Sequence, residues 1–560
     1  MVSVEKAIVV WESGGKAQAD NLRNGGSTIT DLSDIGETPQ IAMDSFGNAI
    51  SVWKKSEMSR YIIQAKYYNK TSSSWDSLAT TLSDITKTAF YPQIAMDSLG
   101  NGIAVWVLNN GTHNVIQARH FTKGVGWTPT TYTISEDMKN STTPQIAMDS
   151  LGNGIAIWSG IVYGLNTIIQ TNRYNKNNSS WDTFVTFISD GLYNSTFPQI
   201  AMDSVGNAMA VWDLNNGTTT VIQSSYYYKD TLSWTGYTLS SDTYNSLTPQ
   251  ISMNLSGNAI AVWKLTNTGV GRIQARYFLK GIGWSSDTET LSDITKNSLI
   301  PQVAIDSLGN SIVIWEQFNG LHLIIQASYY NKLNNNWALT TLSDTSKSSD
   351  SPQIEMDRSG NAIAVWKINV TVGITIIQAS YYTKGVGWSS TPLNLSDELG
   401  TAFYPQLAID NYVESTTTTT TTEPICLPAG TPILTDQGLV NIELIDPKKH
   451  TISHKRIVAV TKTITPEKHL ICFEKYTLGL NTPTKRTMMT PGHEVLYRGK
   501  LVQAKHFLGR LNGIHTVPYN GEVLYNILQE KHGLMSVNNM VIETLHPENK
   551  VAKEILGKDK

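Results

Sequence analysis

Three residues in the last quarter of this 560-residue chain have the types and spacing of a reactive set: Cys426, Thr490 and His493. A cysteine thiol can add to the carbonyl of the residue before it and turn that amide into a thioester. The shift is uphill and slow unless the peptide bond is distorted and the departing amine receives a proton from a positioned acid. Histidine suits that role because it titrates near neutral pH, and a threonine hydroxyl nearby can support it. The bond at risk is Ile425–Cys426, directly after the polar tether "VESTTTTTTTEP", which has no hydrophobic face to pack and leaves the bond accessible. Cys472 is the only other cysteine. Two cysteines make neither a disulfide framework nor a metal-type spacing.

These residues must be held by the segment 426–560. Its short apolar runs, such as "TPILT", "LICFEKY", "TMMTPGHEVLY" and "MVIETL", are separated by Pro, Gly and Asn and predict a compact all-β domain. Cys472, inside "LICFEKY", is expected to be core. The remaining histidines here (His450, His454, His469, His506, His515, His532, His546) show no helical i, i+4 pairing and no Cys partner. Solvated or structural positions are expected for them, with no metal and no cofactor.

The segment 1–411 is a different kind of sequence. "PQIAMDSxGNAIAVW" recurs with small changes from Pro39, Pro92, Pro144, Pro198, Pro249, Pro301 and Pro352, a period of 51 to 54 residues. Such a period signals a propeller or solenoid array. Each unit holds about four β-branched or aromatic runs bounded by turn residues, which suits a propeller blade. The chain opens inside a unit, and an orphan "PQLAID" from Pro405 closes the array, so the final strand is expected to complete the first blade. The prediction is an N-terminal β-propeller of about eight four-stranded blades, with a seven-bladed ring or an open array as the alternative. Residues 412–425 then form the linker.

All 15 tryptophans lie before residue 389, and eight of the 11 histidines lie after 449. The first part carries 25 Lys+Arg against 34 Asp+Glu, and the segment from 426 carries 18 against 12. Neither imbalance implies a nucleic-acid partner. No apolar run is long enough to span a bilayer, and the start lacks the pattern of a secretory signal. The repeated aspartates (Asp44, Asp97, Asp149, Asp203, Asp306, Asp357) suggest calcium or a sialidase-like box. However, the S-x-D-x-G-x-T-W order is absent and one unit has Asn254 instead. A turn bonding its own backbone is the expected reading, with the repeated tryptophans as blade core. No unique cluster of acids, His or Arg marks a glycosidase site.

Residues 426 to about 546 resemble the Hint family, the module shared by hedgehog autoprocessing domains and inteins. The resemblance rests on "CLPAGTPILTDQGLVNIELI" at the opening and the T-x-x-H block in "TMMTPGHEVLY". It implies a horseshoe-like all-β disc with Cys426 as nucleophile. His493 would assist breakage of the Ile425–Cys426 bond, and Thr490 would support it. The chain's own backbone would be the substrate, and water or a small thiol or amine the acceptor. Inteins end in His-Asn, whereas Glu543 and Thr544 stand at the comparable strand of this chain, so splicing should fail at its last step. Hedgehog proteins carry a sterol-binding region after the module, and with about 14 residues following His546 here, sterol transfer is not expected. The expected function is single-turnover self-cleavage, releasing or transferring the propeller. The alternative is a binding scaffold carrying a silent Hint-like appendage.

Overall fold

The computed structural model describes residues 7–22, 29–162, 166–332, 334–397, 400–410, 426–463, 468–479, 481–497, 500–529 and 533–545. The tether, Ile425, His532 and His546 lie outside them. The chain divides into two compact units, Met1–Val413 and Glu414–Lys560. Among the described residues the helical elements are two short 3-10 turns, Ile442–Leu444 and Ala504–Phe507; the regular structure is otherwise strand.

The first unit is an eight-bladed propeller. Its eight antiparallel sheets each begin at an innermost strand that carries the Pro-Gln motif. Seven of these strands are Glu37–Met43, Ala89–Met96, Ser141–Met148, Asn194–Met202, Asn245–Met253, Ser298–Ile305 and Ser349–Met356. The eighth is Ala402–Ile409, which pairs antiparallel with Ala7–Ser13 so that Ala7 faces Ile409. The orphan segment therefore supplies the first blade's inner strand. Each innermost strand touches the next, and Ala402–Ile409 touches Glu37–Met43, so the ring is shut. Closure removes the sheet edge that an open array would expose.

The core lies between blades and is built from the repeat itself. In the second strand of each blade the five residues ending at the tryptophan are buried, and Trp11, Trp53, Trp106, Trp158, Trp212, Trp263, Trp315 and Trp366 are all fully buried. Each indole removes roughly 200 Å² from water, about 5 kcal/mol of transfer free energy.

The "DSxGN" turns hold themselves and their neighbours. Asp44 accepts the backbone N–H groups of Phe46 and Asn48, both at 2.8 Å, and the Asn48 side-chain amide at 2.7 Å. Lys123 of the next blade donates to the same carboxylate at 2.9 Å, and Lys280–Asp203 and Lys384–Asp306 repeat the contact at 2.8 Å. Where Asn254 replaces the acid, its amide donates to the Asp306 carbonyl of the following blade at 3.1 Å. A carboxylate is thus not required at that position.

One feature of the repeat is not visible in its composition. The residue before each motif proline has a positive φ: Thr38, Tyr91, Thr143, Phe197, Thr248, Ile300, Ser351 and Tyr404 lie between 47° and 56°. Threonine and isoleucine there are uncommon, and the register shifts beside each one. At three positions a carboxylate of the preceding blade takes the bulge amide: Glu12 from Thr38, Asp213 from Thr248 and Glu316 from Ser351. Burial raises all three carboxyl groups, Asp213 to about 7.

The described residues of the second unit form three sheets. One joins Leu427–Pro428, Leu524–Gln529, Lys455–Thr463 and Thr451–Ile452; another is six-stranded and includes Glu494–Tyr497 and Met540–Glu543. The third places His469–Phe473 between Thr487–Met489 and Ile514–Pro518. Ile433, Ile457, Phe473, Val495, Ile527, Val537 and Ile542 are among the residues of the shared core. These sheets aim two segments at each other: the chain entering at Cys426 and the turn leaving Met489.

Candidate functional site

Cys426 stands immediately before Leu427–Pro428, whose pairing with Leu524–Gln529 fixes its direction. The strand Thr487–Met489 ends at Thr490, and a turn closed by the His493 N–H on the Thr490 carbonyl (3.1 Å) carries the chain to Glu494–Tyr497. Thr490 and Cys426 grip each other closely. The Thr490 hydroxyl oxygen accepts the Cys426 N–H at 2.8 Å, and the Thr490 N–H donates to the Cys426 carbonyl at 3.0 Å. The nitrogen held by Thr490 is the one that would leave if the Ile425–Cys426 bond broke. Ile425 itself lies outside the described residues.

The thiol is surrounded by carbon. Cys426 packs with Leu470 and Leu524, flanked by Met488, Val517 and Tyr519. Burial pushes its thiol up to about 12. At neutral pH the free thiolate is then about five powers of ten rarer than the thiol. Attack therefore needs a base acting as the bond forms.

His493 is a chemically suitable group on the same turn. It is fully buried, and both ring nitrogens lack a hydrogen-bond partner among the described residues. Buried polar atoms are almost always paired, so two orphans on one ring need an explanation. Burial lowers His493 to about 4, and the Glu543 carboxylate opposes that shift. At neutral pH the ring is uncharged and able to take a proton. Glu543 is placed by accepting the Glu494 N–H at 3.0 Å. Thr544 bonds Gly533 on both sides, its hydroxyl accepting from the N–H at 2.9 Å and donating to the carbonyl at 3.2 Å.

Of the three residues expected from sequence, the fold brings Cys426 and Thr490 into direct contact and carries His493 on the Thr490 turn. Glu543 had been read only as a departure from the intein ending. Its charge beside His493 emerges from the neighbouring positions of Glu494–Tyr497 and Met540–Glu543 in one sheet.

His515 keeps the exposed position expected of it, and strand register adds a neighbour that sequence spacing does not show. It stands directly opposite Cys472 across the strand pair His469–Phe473 and Ile514–Pro518, so it does have a cysteine partner. Cys472 is buried but is not purely core: Arg486 Nε donates to its sulfur at 3.1 Å, and Glu474 Oε1 lies 3.6 Å from it. Cross-strand register 43 residues apart carries no local sequence signal.

Residues 425–549 match the family model of the Hint domain. No curated protein matches the chain. Among solved structures, a polysaccharide lyase family PL25 ulvan lyase is similar at 8% identity, covering 69% of this chain and 98% of its own, with a TM-score of 0.42. The β-propeller domain of the Trilobed protease from Pyrococcus furiosus is similar at 6%, covering 65% and 97%, with a TM-score of 0.39. A protein of unknown function from Dyadobacter fermentans is similar at 11%, covering 62% and 94%, with a TM-score of 0.35. Likenesses this slight carry no functional argument, and the propeller stands on its own strand pairing. No helix among the described residues is long and apolar enough to cross a membrane.

Proposed function

We propose that the C-terminal unit cuts its own chain at Ile425–Cys426. The observation that carries this reading is the Thr490 clamp on the Cys426 amide, with a buried neutral histidine on the same turn that has no partner among the described residues. His493 takes the thiol proton as Cys426 sulfur adds to the Ile425 carbonyl. The carbon–nitrogen bond breaks, the proton passes to the Cys426 amine, and Ile425 is left as a thioester. Thr490 holds the departing nitrogen in line through the step. Water or a small thiol or amine then takes the acyl group and restores the Cys426 thiol. The chemistry is single-turnover and needs no cofactor. Residues 412–425 act as the tether that presents the bond, and the propeller 1–411 is the released cargo. With Glu543 and Thr544 in place of His-Asn, the released ends are not rejoined.

A second reading has one observation in its favour. A thiol pushed up to about 12 is inert at rest, which suits a silent module attached to a propeller scaffold. Intact-protein mass spectrometry of freshly expressed chain, with and without dithiothreitol and beside Cys426→Ala, separates the two. Fragments meeting between Ile425 and Cys426 and absent from the variant are the expected result. A single uncleaved mass from folded protein under every condition would replace the proposal with the scaffold.

A further inference from the structure

The second unit carries a cluster outside the cleavage machinery that has the makings of a cation site. Cys472 Sγ, a Glu474 carboxylate oxygen and a His515 ring nitrogen all lie within 4.8 Å of one another. Sγ is 3.6 Å from Glu474 Oε1, and His515 Nε2 is 3.7 Å from the same oxygen. A tetrahedral zinc ion about 2.3 Å from sulfur and about 2.0 Å from oxygen holds those two atoms roughly 3.5 Å apart. The ligands are therefore close to the spacing such an ion needs before it arrives.

Backbone pairing, rather than side-chain reach, produces this spacing. Cys472 and His515 are direct partners in the antiparallel ladder, and the Glu474 N–H donates to the Gly513 carbonyl at 2.9 Å. A second observation shows that the cluster draws positive charge. The Arg486 guanidinium nitrogen Nε sits 3.1 Å from the sulfur and 3.3 Å from Glu474 Oε1, standing over both the thiol and the carboxylate. Arg486 is about half exposed, so it can swing into solvent and give up the place.

We propose that Cys472, Glu474 and His515 form a binding site for a zinc-like divalent ion, with Arg486 as the cation that occupies it otherwise. One sulfur, one imidazole and one carboxylate are a borderline-soft set that favours zinc over magnesium or calcium. The fourth position is left to water. Binding expels the thiol proton to solvent and displaces the guanidinium. The ion would pin strand His469–Phe473 to Ile514–Pro518; Leu470 of the first strand packs against Cys426, and Met488 and Met489 pair with it ahead of Thr490.

The test uses the full chain carrying Cys426→Ala, which cannot cut itself and keeps Cys472 as its only thiol. Titration with cobalt(II) is expected to saturate at one equivalent with a near-ultraviolet sulfur-to-cobalt charge-transfer band, and zinc should bleach that band. Adding Cys472→Ser should abolish the band, and His515→Ala should weaken binding at least about tenfold. Arg486→Ala should tighten it, because a competitor has been removed; a plain ion-pair cluster predicts no saturable cobalt binding in any variant. No band, a band that survives Cys472→Ser, or weaker binding after Arg486→Ala would each overturn the proposal. Far-ultraviolet circular dichroism of each variant confirms that the chain compared is folded.

Discussion

Each unit of this protein buries a histidine, and the two are pushed down to about the same value, near 4, by burial. Their surroundings differ. His120 sits between blades, where its Nε2 accepts the Trp181 indole N–H at 3.1 Å and its ring lies against Tyr132, Tyr174 and Trp181. His493 is buried just as thoroughly with both nitrogens unpartnered among the described residues. Desolvation alone thus does not mark a reactive group. The distinguishing sign is an unmet hydrogen-bonding capacity, kept at a cost, on the turn that Thr490 shares and that grips Cys426.

Swapping the two histidines in turn is the sharpest way to break this comparison. His493→Gln should slow cleavage about 10²- to 10⁴-fold, the usual worth of a positioned acid–base group. His120→Gln should leave the cleavage time course unchanged and cost the propeller about 1–3 kcal/mol, the penalty of disturbing a buried hydrogen bond. Fragment masses over time and denaturant unfolding read the two effects separately. Equal effects on cleavage would erase the distinction.

The pH dependence is the next largest effect. With Cys426 held near 12 and His493 near 4, the thiol stays protonated and the imidazole neutral across the neutral range. If thiolate forms before attack, the cleavage rate rises about tenfold per pH unit between about pH 6 and 9. A flat profile over that range would show His493 removing the proton within the attack itself. Stability has the opposite limit. His493 folds with its ring lowered, so its stabilising contribution is full above its unfolded value near 6.5. That contribution is lost as pH falls toward 4, by at most about 3 kcal/mol.

Thr490→Val should act more gently, because it removes an acceptor and not a proton carrier. About a tenfold slower cleavage is expected, with about 1–3 kcal/mol lost from leaving the buried Cys426 N–H unpaired. Smallest of all is Lys123→Met in the propeller. Asp44 keeps its three turn hydrogen bonds, and Lys123 is about one-third exposed, so about 1 kcal/mol of unfolding free energy should be lost with no change in cleavage.

Legibility from sequence followed locality. The period of the Pro-Gln motif located all eight inner strands, and the orphan "PQLAID" identified the closing one, because a repeat states its geometry many times over. The spaced pattern singled out Cys426, Thr490 and His493, and the fold joins Thr490 to Cys426 with His493 on the same turn. Glu543 beside His493 and Cys472 opposite His515 were not legible, since strand order alone makes them neighbours. The bulge before each motif proline also left no trace: Thr, Tyr, Phe, Ile and Ser occupy it, and no glycine announces a positive φ. Its conformation is imposed by the ring and not requested by the residue.

The closing strand also sets an order of events. Ala402–Ile409 is the last piece of the ring and is made before any residue of the C-terminal unit. The first three strands of the chain must wait through almost four hundred residues for their fourth. Thr490 and His493 are synthesised later still, so the residues that would sever Ile425–Cys426 cannot exist until the strand that shuts the propeller has been made. On the proposed cleavage, chain order alone puts the closing strand ahead of the residues that would free the propeller.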